Sequence, residues 1–254
     1  MKKIFENFKN MSLLTKIAAI MLIVSFFLLC SAFLGGFIVD IFSGYFVRMF
    51  SNFSNVMHDS YMYLVELLGI ATAGLLVVAV FSGNKKNIGV VLMIKALIIS
   101  IELLVVTPYL FMIDRIVFGY ANALRIYMDE IGYYVYDFIH TIDIFAALVA
   151  MAVLLFGGFG KRTKLFGFII AGVFAIFATE MFVGGIIDVV DMVKEFSSRE
   201  IASAMYSLFY NSPTSMAGAL RFGALAIISL GVAFSAKNAP NKIKTEEASN
   251  AEQK

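Results

Sequence analysis

Six stretches of this 254-residue chain are almost uninterrupted apolar sequence: 14–39, 65–82, 88–113, 142–159, 165–187 and 217–236. About 20 such residues span the ~30 Å hydrocarbon core of a bilayer at ~1.5 Å per helical residue. Lipid offers backbone N–H and C=O groups no partner, so stretches of this kind must be helices. The expected fold class is therefore an all-α polytopic membrane protein with six transmembrane helices. Composition agrees: 61% of residues are hydrophobic and 15% charged, against about 45–50% and about 25% in soluble domains. A net charge of +2 gives no reason to expect nucleic acid. The expected surroundings are a lipid bilayer, with a partner membrane protein or a second copy of the chain.

Basic residues orient such a chain, because they are retained on the cytoplasmic side. Thirteen fall on one side: Lys2, Lys3, Lys9, Lys16, Lys85, Lys86, Lys161, Arg162, Lys164, Lys237, Lys242, Lys244 and Lys254. Five fall on the other: Arg48, Arg115, Arg125, Lys194 and Arg199. Both termini are expected in the cytoplasm, and the membrane is expected to be the plasma (inner) membrane. The first apolar run exceeds a signal-peptide core of roughly 7–15 residues, so it reads as an uncleaved span. Residues 1–13 read as a cytoplasmic N-terminal tail, 14–236 as the membrane domain, and 237–254 as a disordered cytoplasmic tail with nothing apolar to bury.

The phrase FIVDIFSGY at 37–45 returns as FMIDRIVFGY at 111–120. Asp40, Asp114 and Asp188 close the odd apolar runs at intervals of 74 and 74. Phe81, Phe156 and Phe234 mark the basic turns at intervals of 75 and 78. Glu66, Asp143 and Arg221 open the even helices at intervals of 77 and 78. Three markers sharing one period imply three parallel tandem repeats, 14–87, 88–164 and 165–242, each helix–outer amphipathic helix–helix. Two crossings per unit give every copy the same orientation.

The outer segments carry apolar residues at steps of three and four, the mark of a helical stripe. The clearest stripe is Val117, Tyr120, Leu124, Tyr127, Ile131, Tyr134 and Phe138. The first segment has Phe42, Phe46, Met49, Phe53 and Met57, and the third has Val190, Val193, Phe196, Ile201, Met205 and Leu208. Such stripes suit the headgroup boundary or the outer part of a partner. The layout resembles that of mitochondrial carriers. Their signature places Pro before each repeat-end acid and a basic residue three after it. Here the prolines are missing and Ser43, Val117 and Asp191 stand at the basic positions, so the resemblance is one of layout.

Ionisable residues inside spans are functional candidates. Lys95 and Glu102 lie two turns apart on the third apolar run, and Glu180 lies within the fifth. They make a candidate intramembrane polar site for a proton, a cation or a small solute. Glu66, Asp143 and Arg221 make a candidate ion-pair ring, and Asp40, Asp114 and Asp188 are repeat-end acids. His140 precedes Asp143 by one turn, but two histidines and the lone Cys30 fall short of a metal-ligand set. The GGFGK run at 157–161 lacks phosphate-loop spacing. No nucleophile–base pattern is present, and nothing calls for a cofactor or a catalytic role. Two function classes remain. One is a non-catalytic membrane subunit or scaffold using its extracytoplasmic helices. The other is a small-solute or ion/proton transporter or channel using Glu102, Glu180 and Lys95.

Small residues recur on particular runs: Gly167, Ala171, Ala175 and Ala178 in the fifth, and Ala219, Gly223, Ala224 and Ala226 in the sixth. Small residues at this spacing let helix backbones approach closely.

Overall fold

The computed structural model describes residues 2–42, 53–101, 139–198 and 201–236. Glu102, Asp114, the stripe at 117–138, most of the first outer segment and the tail at 237–254 lie outside the described residues. Nearly every described residue is helical and none is in a strand.

The helices, in chain order, are α1 (Lys2–Asn10), α2 (Leu13–Phe42), α3 (Phe53–Phe81) and α4 (Lys85–Ile101). They are followed by α5 (Ile139–Phe156), α6 (Thr163–Ser198), α7 (Ile201–Tyr206) and α8 (Ser212–Ser235). Five described helical stretches are long and apolar enough to cross a membrane: Leu13–Phe42, Tyr63–Phe81, Ile139–Phe156, Gly160–Phe196 and Ser203–Ser235. The third expected span is represented by α4, which has 17 described residues.

Local chemistry explains the helix ends on the basic side. Ser12 Oγ accepts a hydrogen bond from the Thr15 N–H at 3.2 Å, filling one of the orphan donors at the start of α2. Asn84 Oδ1 does the same for Lys86 at 3.0 Å at the start of α4. Between α5 and α6, Gly157 and Gly160 hold φ values of 83 and 50, the left-handed conformation that stops a helix and that Gly adopts without strain. Phe159 stacks on Phe166 at 4.1 Å, so the GGFGK run is a helix stop. Residues read as an N-terminal tail form α1. It is fastened by Asn7 Nδ2 donating to the Phe81 carbonyl at 3.1 Å and by the Phe8 ring lying 5.8 Å from that of Phe81.

Packing converges on α8. More than half of its most apolar stretch is buried (56%), against 28–33% in the other four spans. It lies against α2 and α6, and Ser229 Oγ lies 2.9 Å from Met151 Sδ on α5. Gly167 of α6 meets α8 so closely that a Cβ there would stand 2.8 Å from Ala233 Cβ. Ala171 is buried, whereas Ala175 is exposed. The buried face of α6 is Gly167, Ile170, Ala171, Phe174 and Phe177, so large apolar residues complete the seam that the small-residue pattern announces.

One sequence-based expectation changes along the fifth apolar run. The fifth span does not end near Ile187. Instead, α6 runs unbroken to Ser198, because neither Pro nor a left-handed Gly intervenes, and Val190, Val193 and Phe196 lie on this continuation. Pro213 sits in the first turn of α8. The preceding turn, Ser207–Asn211, is a π-helix. A proline lacks the N–H that would bond the carbonyl four residues back, and its ring crowds that carbonyl. The widened π turn contains that carbonyl, Phe209's, and gives it room.

Candidate functional sites

The π turn sets up the first site. On α2, Gly35 and Gly36 face it directly: a Cβ on Gly35 would stand 2.7 Å from the Phe209 carbonyl oxygen, and one on Gly36 2.9 Å from the Tyr210 ring. Only glycine lets α2 approach the widened turn this closely. Tyr210, held there, donates its hydroxyl to Glu66 Oε1 on α3 in a short hydrogen bond. Tyr206 lies against Tyr210 with ring centroids 4.9 Å apart. Beside them, Tyr63 Oη donates to Asp40 Oδ2 at 2.6 Å. Two carboxylates from two helices are thus each held by a tyrosine hydroxyl. Chemically this fixes carboxylate geometry and ties α2, α3 and the π turn together.

The repeat-end acids behave alike where they are described. Asp188 of α6 accepts a hydrogen bond from Ser215 of α8 at 2.9 Å, as Asp40 of α2 does from Tyr63 of α3. In both cases an acid of one helix accepts a hydrogen bond from a hydroxyl near the start of a later span. The C-terminal part of α6 has a further polar tie: Glu195 accepts from Ser203 at 2.9 Å and from Ser207 at 3.3 Å.

The second site is a cavity of about 210 Å³ inside the bundle. Its walls come from α3 (Thr72, Ala73, Leu76), α4 (Val91, Leu92, Lys95, Ile99), α5 (Ile144, Leu148), α6 (Met181) and α8 (Arg221, Phe222, Leu225). Two basic residues set well inside apolar helical stretches, Lys95 and Arg221, line it. Arg221 keeps partial accessible surface although it lies deep among protein atoms. The two agree because that surface faces the cavity. Its guanidinium carbon lies 5.7 Å from the Phe222 ring centroid. Among the described residues no carboxylate forms a salt bridge with it. The Thr72 hydroxyl is turned to the Gly69 carbonyl at 2.9 Å.

Lys95 and Arg221 thus line the same cavity. Glu180 is exposed and does not line the cavity, although its neighbour Met181 does. The ion-pair ring is not assembled. Counting ~1.5 Å per residue from the basic-side ends of their helices puts Glu66, Asp143 and Arg221 at about 20–22 Å, a shared depth. Their surroundings differ: Glu66 is bound by Tyr210, Arg221 lines the cavity, and Asp143 lines an open groove between α5 and α6. Equal spacing along the chain does not give them a common environment. His140 packs edge-on against Phe177 at 5.8 Å. Among the described residues no group of three or more His, Cys, Asp or Glu is placed to hold a metal.

Sequence reasoning missed Tyr210, Gly35 and Gly36. Pro213 was their one signal, because a proline inside a helical run demands a distortion just before it.

No protein-family model, curated protein or solved structure matches the chain.

Proposed function

We propose that this chain is a non-catalytic integral membrane subunit or scaffold that engages a partner membrane protein, or a second copy of itself, through extracytoplasmic helix surface. In this reading it sits in the plasma (inner) membrane with six spans in three tandem units and both termini cytoplasmic. The observation that carries it is the length of α6. Its 36 residues extend about 54 Å, well beyond a ~30 Å hydrocarbon core. The far end still exposes Val190, Val193 and Phe196. Apolar side chains held on a rigid helix past the lipid core favour a protein contact. The repeat reading is supported by the two acid–hydroxyl pairs, Asp40–Tyr63 and Asp188–Ser215. Thr141 stands as far beyond Asp114 as Ser215 does beyond Asp188, and is the expected partner of Asp114.

A photo-crosslinking residue placed at Val193, with Ile176 as the comparison site, tests the scaffold reading in intact membranes. A discrete protein adduct at 193 and only lipid adducts at 176 are expected. Lipid adducts alone at both sites would remove the reading. The cavity with Lys95 favours the second class, transport of a small solute. A Lys95-dependent flux in proteoliposomes would establish that class instead.

A further inference from the structure

We propose that the cavity between α3, α4, α5, α6 and α8 is a binding site for a small amphiphilic carboxylate anion, with Arg221 as its anchor. This goes beyond the scaffold role and takes only the bilayer placement from it.

Three observations converge. The first is charge. Arg221 lines this cavity, and among the described residues no carboxylate forms a salt bridge with it. A guanidinium deep in a low-dielectric bundle is costly unless an anion meets it. The second is size. A volume of about 210 Å³ equals about seven liquid-water places of ~30 Å³. That suits a carboxylate of roughly four to six carbons and is small for a lipid headgroup with its chains.

The third is the lining. Leu76, Leu92, Ile144, Leu148 and Leu225 supply an apolar wall suited to a short hydrocarbon tail. Polar groups are few: Arg221, Lys95 and Thr72, whose hydroxyl already donates to the Gly69 carbonyl. A phosphate dianion would leave most of its oxygens facing aliphatic carbon, at a large desolvation cost. A carboxylate has two oxygens, and the planar guanidinium fork matches them in one bidentate contact. The Phe222 ring beside the guanidinium adds a further contact for the cation.

The test uses the full chain in lipid nanodiscs with sodium hexanoate as probe. Hexan-1-ol and sodium chloride are the comparison solutes, and empty nanodiscs give the partition blank. The readouts are saturation-transfer NMR and the thermal midpoint. Hexanoate is expected to give saturable transfer and to raise the midpoint by about 5–10 °C at a hundredfold excess over Kd, with hexanol and chloride giving much less. Arg221→Met is expected to abolish the effect, and Arg221→Lys to keep a weakened part of it. Leu148→Phe, which fills the cavity without touching the charges, is expected to abolish it too, and serves where Arg221→Met does not fold. Three results would each overturn the proposal: hexanoate acting no differently from hexanol in the wild-type chain, full binding persisting in folded Arg221→Met, or binding that emerges only in Glu102→Gln. The last would mean that the chain's own carboxylate answers Arg221.

Discussion

The α2–α3 pair and the α6–α8 pair use the same fastening for different ends. In each, an acid of the first helix accepts a hydrogen bond from a hydroxyl near the start of the apolar stretch of the second, Tyr63 to Asp40 and Ser215 to Asp188. In each, a glycine of the first helix lets a neighbour come very close, Gly35 to the π turn and Gly167 to α8. Yet α3 keeps most of its apolar stretch unburied, whereas α8 is the most buried span. α8 also carries Arg221 into the cavity and is entered through a π turn. Two helix pairs can therefore share a fastening while one of them places its second helix at the centre of the bundle. That pair is the one that holds the unusual chemistry.

The most disruptive way to break this comparison is at the glycines. Gly35→Val sets a Cβ against a backbone oxygen and Gly167→Val sets one against a neighbouring helix, and neither obstacle can swing aside. Each is expected to cost about 3 kcal/mol or more, seen as a lowered thermal midpoint and a reduced folded fraction. Gly184→Ala, where a Cβ meets nothing within 4 Å, should leave the midpoint unchanged or slightly raised. If all three variants behave alike, the close approaches are not what holds the pairs.

Next come the acid–hydroxyl fastenings. Tyr63→Phe and Ser215→Ala each remove a hydrogen bond to a carboxylate, worth about 1–3 kcal/mol. Double-mutant cycles with Asp40→Asn and Asp188→Asn should give coupling of the same sign in both pairs. Coupling in one pair only would show that the fastening is not shared.

A smaller effect sharpens the difference between the units. Pro213→Ala restores an N–H and relieves the crowding that the π turn accommodates. The cost of Tyr210→Phe, about 1–2 kcal/mol in the wild-type background, should fall by half or more in Pro213→Ala. An undiminished cost would separate the Tyr210–Glu66 bond from the proline. The smallest effect is expected at Phe196→Ser on the projecting end of α6, within about 0.5 kcal/mol. Its loss should register in partner crosslinking and leave the folded fraction unchanged.

Much of the architecture was legible in the chain because its signals are local. The apolar runs, the glycine and Asn/Ser stops at the basic turns, and the acids at equal intervals each depend on a few neighbouring residues. The direction of a side chain around its helix axis depends on packing between distant segments. This is why Glu66, Asp143 and Arg221 have different surroundings, and why Lys95 lines the cavity while Glu180 is exposed. Ile187 looked like an end to the fifth span because charged residues follow it: Asp188, Asp191, Lys194 and Glu195. Charge does not stop a helix when the backbone has no reason to turn. The π turn was hidden for a different reason. Pro213 announces a distortion, but Gly35, which makes room for it, lies 178 residues earlier.

The central claim is a set of hairpins inserted with one common orientation, with every basic turn on the cytoplasmic side. Thiol labelling in intact cells tests it most directly. With Cys30→Ser as background, single cysteines are placed at Lys86→Cys, Arg162→Cys and Ser198→Cys and exposed to a membrane-impermeant maleimide. The account predicts labelling at 198 without permeabilisation, and at 86 and 162 only after it. Labelling of 86 or 162 in sealed cells, or protection of 198, would contradict it.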